Sequence, residues 1–169
     1  DATVEKLQVG DIIYLNGQVC TARDIAHLKL RELADAGKPF PEDLRGGAIF
    51  HAGPVMKKDA QGKWYLSVIG PTTSIRMEPH ADFVGQQGVK VIIGKGGMGD
   101  GTKAALQKYK QVYVQACPGC AVVLAAGIVG TKEPHWFEHG MPEAMWPLQA
   151  KHFGPFLVTM DSHGNSRYD

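Results

Sequence analysis

Short apolar runs, separated by polar stretches that contain glycine, dominate this chain and predict β-strands. The runs cover residues 11–15, 19–21, 48–51, 64–69, 89–93, 112–114 and 156–160. The first two flank Asn16-Gly17, a dipeptide typical of tight turns between antiparallel strands. We therefore expect these two runs to form a β-hairpin.

Between the strands, apolar residues recur at helical spacing. The clearest helix follows Ala22, where Ile25 and Leu28 belong to the apolar stripe and Thr21 or Asp24 is the expected N-cap. Further helices are predicted over 77–87 and 102–109, and 119–127 fits either a helix or a strand.

Strands that alternate with helices predict an α/β fold with a largely parallel central sheet. Hairpin-like pairs near the start and middle of the chain add antiparallel strands. The expected architecture is therefore a mixed β/β/α layering rather than a doubly wound sheet. The sequence contains no linker, repeat or low-complexity segment, so we predict one domain over residues 1–169.

Two glycine-punctuated loops, 70–76 and 94–101, each follow an apolar run and lead into a helical segment. Their polar side chains include Thr72, Thr73, Ser74, Arg76 and Lys95. Backbone N–H groups at helix N-termini suit anions, and ligands gather at the carboxyl ends of parallel strands. Arg23 lies in the first turn of its helix, where a cation is favoured only beside an anion. A capped turn and a solvated lysine would explain each loop alone, but the shared position favours a carboxylate or phosphate pocket.

Composition excludes several classes of function. Of the 169 residues, 44% are hydrophobic and 21% charged, and the formal net charge is +1, which gives no field for nucleic acid or membrane surfaces. No apolar run approaches the roughly 20 residues that span a bilayer, and residues 1–10 lack a signal-peptide core. Three cysteines argue against a disulfide framework. We expect a soluble, cytoplasmic protein.

Three further motifs lack the context that their chemistry needs. Gly94, Gly96 and Gly99 match a dinucleotide fingerprint, but the acidic residue expected about 20 positions later is missing. The P-loop-like segment 96–103 transposes the lysine and the hydroxyl. The His-x-x-Glu-His pattern over 135–139 is enclosed by prolines and glycine, which leave barely one helical turn.

Cys117 and Cys120 form a Cys-x-x-Cys pair after a predicted strand, which is typical of dithiol redox sites. The pair could also supply half of a zinc or cluster site, but Cys20 alone cannot complete four ligands. We favour small buried thiols and keep redox activity as an alternative.

Five motifs occur in order along nearly the whole chain. They are Thr21-Ala22-Arg23-Asp24-x-Ala26-His27, Phe50-His51-Ala52-Gly53-Pro54, Gly70-Pro71-Thr72-Thr73-Ser74-x-Arg76-Met77, Ile93-Gly94-Lys95-Gly96-Gly97-Met98 and Gly140-Met141-Pro142-Glu143-Ala144-x-Trp146. Together they make the chain similar to the β subunit (the C-terminal domain of single-chain forms) of the iron–sulfur class I fumarate hydratase and L-tartrate dehydratase family.

The resemblance implies a swivelling β/β/α domain with a mixed, largely parallel central sheet, which closes over an active site shared with an α subunit. An α2β2 heterotetramer is the implied assembly. A four-iron four-sulfur cluster is held by three cysteines of the α subunit, and its open iron acts as a Lewis acid on the substrate. No metal ligand is expected from this chain, and its cysteines do not match the spacing of the cluster ligands.

Carried over motif by motif, Arg23 and Arg76 clamp the carboxylates of a dicarboxylic acid. Thr72 lies near the carbon-bound proton and shares acid–base work with a carboxylate of the α subunit. Asp24 and His27 support Arg23. The implied substrate-binding residues are Arg23, Thr72, Thr73, Arg76 and Lys95, of which Thr72, Arg76 and Lys95 are catalytic.

The implied activity is the reversible hydration of fumarate to malate by the β subunit together with its α partner. Conversion of L-tartrate to oxaloacetate is the alternative, since the same arginines serve either acid. A stand-alone anion-binding or dithiol redox module that uses Cys117 and Cys120 is the alternative from another class.

Overall fold

The computed structural model describes residues 2–69, 74–116, 124, 126–141 and 143–167, and for residues 2, 3 and 76 the backbone alone. The elements, in chain order, are α1 (Ala2–Glu5), β1 (Ile12–Thr21), α2 (Asp24–Asp35), β2 (Ala48–Phe50), β3 (Val55–Lys58), β4 (Trp64–Val68), a 3₁₀ helix (Ile75–His80), α3 (Ala81–Gln86), β5 (Val91–Gly94), α4 (Asp100–Tyr109), β6 (Val112–Ala116), β7 (Ile128–Thr131), a second 3₁₀ helix (Phe137–His139) and β8 (Pro147–Met160). Within these ranges, every helix is too short or too polar to cross a membrane.

The central sheet is closed by β8. Strands β1, β2, β5 and β6 lie side by side in parallel, with Ile49 opposite Ile92 where β2 meets β5. β8 runs antiparallel to both outer strands of this set, so Leu157 lies opposite Ile12 in β1 and opposite Gln115 in β6. β7 pairs with the first half of β8, and β3 and β4 form a separate antiparallel hairpin.

Side chains of β2, β5 and β6 are buried on both faces of the sheet, as expected for parallel strands covered by helices. Alternate residues belong to different hydrophobic clusters because successive strand side chains point to opposite faces. The interior cluster includes Phe50, Ile93, Val114, Phe153 and Phe156. Ile49, Ile92 and Tyr113 belong to the second cluster, together with residues of α2, α3 and α4.

The hairpin predicted around Asn16-Gly17 is wrong. Both residues lie inside β1, which pairs with β8 from Ile12 to Cys20. The register shifts on either side of Leu15, and Gly17 adopts a φ of +116°. The dipeptide therefore forms an irregularity within the strand instead of a turn. Long-range pairing with β8 therefore outweighs the local turn preference.

Several predicted boundaries also change. The helix expected over 77–87 is divided into the first 3₁₀ helix, which contains Pro79, and α3. β7 was not expected, and β8 extends the strand predicted over 156–160 backwards to Pro147. Most of 119–127 lies outside the described residues. The mixed α/β class is confirmed, while the single domain and its swivelling motion stay predictions.

Phe156→Ala is expected to lower the free energy of unfolding by about 3–5 kcal/mol. Phe156 is fully buried on the strand that closes the sheet, and its ring packs against Phe153 at 5.0 Å and Phe50 at 6.2 Å between centroids. Chemical denaturation measures the change. The control is Val129→Ala on β7, where the side chain is 63% exposed and the expected change is within about 0.5 kcal/mol. Equal losses in the two variants would contradict this account of the core.

Candidate active site

The two glycine-punctuated loops meet at the carboxyl end of the sheet. The Ser74 N–H donates to the Lys95 carbonyl oxygen at 3.0 Å, and the Lys95 N–H donates to Ser74 Oγ at 3.0 Å. His51, which follows β2, places Nδ1 2.9 Å from the same hydroxyl oxygen. Ser74 thus joins its own loop to the residue that follows β2 and to the residue that follows β5, although sequence reasoning assigned its side chain no separate role.

Gly94 is required by this junction. A Cβ atom at this position would lie 1.8 Å from Ser74 Oγ and 2.7 Å from the Tyr113 hydroxyl oxygen. Ser74 is fully buried, so it has no space into which to retreat. The glycine that ends β5 therefore serves the contact between the loops rather than a nucleotide phosphate.

Arg23 is the N-cap residue of α2, one position before the first turn in which the sequence placed it. The two predicted caps are wrong: Asp24 opens the helix, and the Thr21 hydroxyl accepts the Trp146 N–H at 3.0 Å. Arg23 has no side-chain capping hydrogen bond. Its Nε lies 3.2 Å from Oε2 of Glu143, with a quarter of the arginine side chain exposed.

Glu143 supplies the carboxylate at the N-terminus of α2. Besides its ion pair with Arg23, its Oε1 accepts the Ile25 N–H at 3.4 Å. A carboxylate is stabilised here by the helix dipole and by the adjacent guanidinium. Sequence reasoning gave this residue no role, although Glu143 lies in the last of the five quoted motifs.

Three buried histidines lie behind Arg23 and Ser74. The rings of His27 and His80 stack at 4.9 Å between centroids, and His51 meets His27 edge-on at 5.6 Å. His27 Nδ1 lies 2.8 Å from the Arg23 carbonyl oxygen, which can only accept, so Nδ1 carries the proton. His27 therefore supports the backbone of Arg23, not its guanidinium. Its Nε2 is a buried acceptor without a hydrogen-bond partner among the described residues.

All three histidines are held neutral. Burial lowers the pKa of His27 to about 4 and holds the pKa of His51 well below the usual range. Burial also lowers the pKa of His80, with a further contribution from Arg31, whose Nη1 lies 3.2 Å from His80 Nδ1. Asp24 acts in the opposite direction on His27 and His80, but burial dominates.

The N-terminus of α4 does not hold a free anion site. The carboxylate of Glu78 accepts the N–H groups of Gly99 and, at 2.5 Å, Thr102. A Cβ atom at Gly99 would lie 2.6 Å from this carboxylate, and one at Gly101 would lie 3.3 Å from it. The glycines of the second loop thus leave room for a side chain of the protein itself, and the N–H groups of Gly99 and Thr102 are not free to bind an anion, as the sequence had suggested.

Of the remaining predicted site residues, the structure describes only some. Lys95 is exposed at the end of β5, beside Ser74. The backbone of Arg76 lies in the first 3₁₀ helix, but its side chain lies outside the described part, as do Thr72 and Thr73. Cys117 and Cys120 also lie outside it. The clamp and the acid–base pair therefore stay predictions.

Cys20 does not fit a cluster ligand. It is buried among residues of the second hydrophobic cluster, and burial raises its pKa to about 12. Among the described residues, no three histidines, cysteines or carboxylates are arranged to hold a metal ion. The His-x-x-Glu-His segment forms no α-helix, since Trp136 adopts a left-handed conformation and His135 binds Glu42 at 3.0 Å.

A family model described as "Fumarase C-terminus" matches residues 1–169. The chain belongs to the fumarase C-terminus family. The resemblance carried by the five motifs is thereby confirmed, and described residues of all five contact one another at the carboxyl end of the sheet.

Similar proteins carry the names of two hydro-lyases. The chain is 46% identical over 164 residues to the L(+)-tartrate dehydratase subunit beta of Escherichia coli (strain K12), covering 96% of this chain and 80% of that protein. It is 45% identical over 168 residues to a putative L(+)-tartrate dehydratase subunit beta of Methanocaldococcus jannaschii, covering 98% and 86%. A putative fumarate hydratase class I of Geobacillus stearothermophilus is 44% identical over 167 residues, which are 98% of this chain and 31% of that protein.

Glu78→Ala is expected to lower the free energy of unfolding by about 1–2 kcal/mol, because it removes the carboxylate that accepts two N–H groups of α4. Thermal or chemical denaturation measures the loss. Glu133→Ala, at an exposed position in the loop after β7, is the matched control. A loss at Glu78 no larger than that of the control would contradict the capping role.

Acidification is expected to destabilise the protein between pH about 6.5 and about 4 through His27. In this window the unfolded chain binds a proton that the folded chain excludes, so the free energy of unfolding falls as pH falls, by up to about 1.4 kcal/mol per pH unit. Denaturation at a series of pH values above 5 avoids most carboxylate titration. His27→Gln is expected to show a shallower slope than wild type, and identical slopes would contradict a neutral His27.

Proposed function

We propose that this chain is the β subunit of an iron–sulfur hydro-lyase that acts reversibly on a four-carbon dicarboxylic acid. The family and the hydratase and dehydratase names of its relatives support the reaction class. The observation that carries the proposal is the placement of Arg23 at the sheet end where Ser74 holds the Lys95 loop. Hydration of fumarate to malate is the first candidate reaction, and L-tartrate dehydration, named in two relatives, is the second.

Two arginines on different elements of the fold are proposed to bind the two carboxylates of the substrate. Arg23 forms its ion pair with Glu143 at Nε, and a guanidinium paired in this way still offers two Nη groups to a carboxylate. Arg76, placed by the loop that Ser74 anchors, is proposed to bind the second carboxylate, and Lys95 adds positive charge nearby. Because Glu78 and Glu143 already occupy the N-termini of α4 and α2, side-chain cations rather than helix ends carry the recognition.

Proton transfer is assigned to Thr72, which acts at the carbon-bound proton of the substrate. A threonine hydroxyl is a weak base, so a carboxylate of the α subunit is proposed to share this step. Thr73 completes the substrate-binding loop. Ser74, the next residue in the chain, is fixed by His51 and Lys95.

The cluster is assigned to the α subunit. The buried, protonated Cys20 is not suited to bind the iron of a cluster, and the proposed reaction uses no cysteine of this chain. An α subunit agrees with the subunit beta names of two relatives. The α2β2 assembly, the cytoplasmic location and the alternative dithiol role of Cys117 and Cys120 stay predictions.

Arg76→Ala and Arg23→Ala are each expected to lower kcat/KM by about a hundredfold or more, because a carboxylate loses its orienting partner. The measurement uses the chain co-expressed anaerobically with an α-type hydro-lyase chain. After cluster reconstitution, turnover of fumarate, malate and L-tartrate is compared. Arg45→Ala is the matched control, since Arg45 precedes β2 at the opposite end of the parallel strands.

Activity on one acid that both site variants lose and the control keeps would identify the substrate. Full activity of Arg76→Ala would contradict the clamp. No turnover and no co-purifying α chain would overturn the shared site. An activity that Cys117→Ser abolishes and Arg76→Ala leaves intact would favour the dithiol alternative.

A further inference from the structure

Glu143 makes two contacts at the point where α2 begins. Its carboxylate lies 3.2 Å from Arg23 Nε and accepts the Ile25 N–H at 3.4 Å. The side chains of Arg23 and Glu143 are 25% and 22% exposed, so the pair is largely shielded from solvent. A single carboxylate therefore touches both the N-cap side chain and the second backbone N–H of the helix.

The segment that carries Glu143 is fixed to the end of β1. Thr21 and Trp146 exchange hydrogen bonds, with the Thr21 N–H donating to the Trp146 carbonyl at 3.0 Å and the Trp146 N–H donating to Thr21 Oγ1 at 3.0 Å. Ala144 and Trp146 are fully buried, and Ala144 N–H donates to the Gly140 carbonyl at 3.0 Å. Arg23 lies two positions after Thr21, and Glu143 lies three positions before Trp146, so both members of the pair are held close to the same junction.

An arginine at an N-cap position is unfavourable on its own, because its charge opposes the positive end of the helix dipole. A long side chain also loses rotamer entropy when a ligand fixes it, and fixing it beforehand removes that cost from binding. Glu143 meets both conditions, since its carboxylate neutralises the charge and its ion pair at 3.2 Å restrains Nε, although the two atoms do not have hydrogen-bond geometry. This restraint limits the freedom of the guanidinium before the substrate arrives.

We infer that Glu143 is a positioning residue that orients Arg23 for a substrate carboxylate and thereby sets the affinity of the site. The inference rests on the proposed function, because it takes Arg23 to be a carboxylate ligand. Glu143 does not touch the reacting atoms. Its loss therefore weakens substrate binding while leaving the chemical step largely intact.

The test measures KM and kcat of the assembled, cluster-reconstituted complex, and the inhibition constant of succinate, a dicarboxylate that cannot be dehydrated. Glu143→Ala is expected to raise KM and the succinate constant about tenfold, with kcat within about threefold of wild type. Glu143→Gln keeps the shape and an acceptor for the Ile25 N–H, so a smaller rise is expected. Glu138→Ala, at a carboxylate that is 69% exposed and contacts His139 instead, is the matched control.

A double-mutant cycle separates positioning from general damage to the fold. In an Arg23→Gln background, Glu143→Gln is expected to have no further effect on the succinate constant, because the group it orients is gone. Melting temperatures of all variants are recorded alongside, and Glu143→Gln carries the test if Glu143→Ala does not fold.

Three results would overturn the inference while the proposed function stands. They are an unchanged KM in both Glu143 variants, an effect of the same size with and without Arg23, or a loss of kcat at unchanged KM. A wild-type complex that neither turns over any of the three acids nor binds succinate would overturn the proposed function, and the inference with it.

Discussion

Pairing of β8 with both β1 and β6 is the constraint on which the candidate site depends. Because these two pairings close the sheet, the carboxyl ends of β1, β2 and β5 are held on one side of the molecule. The chain leaves those ends at Thr21, Phe50 and Gly94, and each is followed within two residues by a group of the site. The buried rings of Phe153 and Phe156 fill the interior behind them. The closed sheet thus acts as the rigid support that precise positioning of charged groups requires.

Two helices begin near this end of the sheet, and each N-terminus is met by a carboxylate from a distant part of the fold. Glu143 meets α2, and Glu78 meets α4. Backbone N–H groups that are already satisfied cannot be the principal anion ligands. The site differs in this respect from phosphate-binding loops, which leave those groups for the ligand. In the proposed function, recognition of a carboxylic acid then depends on side-chain cations and on the contacts that orient them.

The sequence was a good guide wherever a local pattern decides the outcome. The apolar runs that became β2, β4, β5 and β6, and the periodic stripe that became α2, require only neighbours in the chain. Long-range pairing decided the rest. Pairing with β8 keeps Asn16-Gly17 inside β1, and β7 also pairs with β8. Glu143 meets Ile25 across 118 positions, a separation at which no spacing rule operates. The order of the motifs was enough to indicate the family, but it did not predict which side chains contact one another.

The histidine cluster shows why the site tolerates several cations close together. His27, His51 and His80 pack between the positions of Arg23, Arg31 and Ser74, and a charged imidazole there would repel the guanidinium groups. Burial keeps the three rings uncharged, since an ion transferred from water to a low-dielectric interior is penalised. Neutral rings can still hydrogen-bond, and they use this capacity on the Arg23 carbonyl and the Ser74 hydroxyl. The cluster therefore contributes shape and hydrogen bonds to the candidate site, while in the proposed function the positive charge is supplied by Arg23, Arg76 and Lys95.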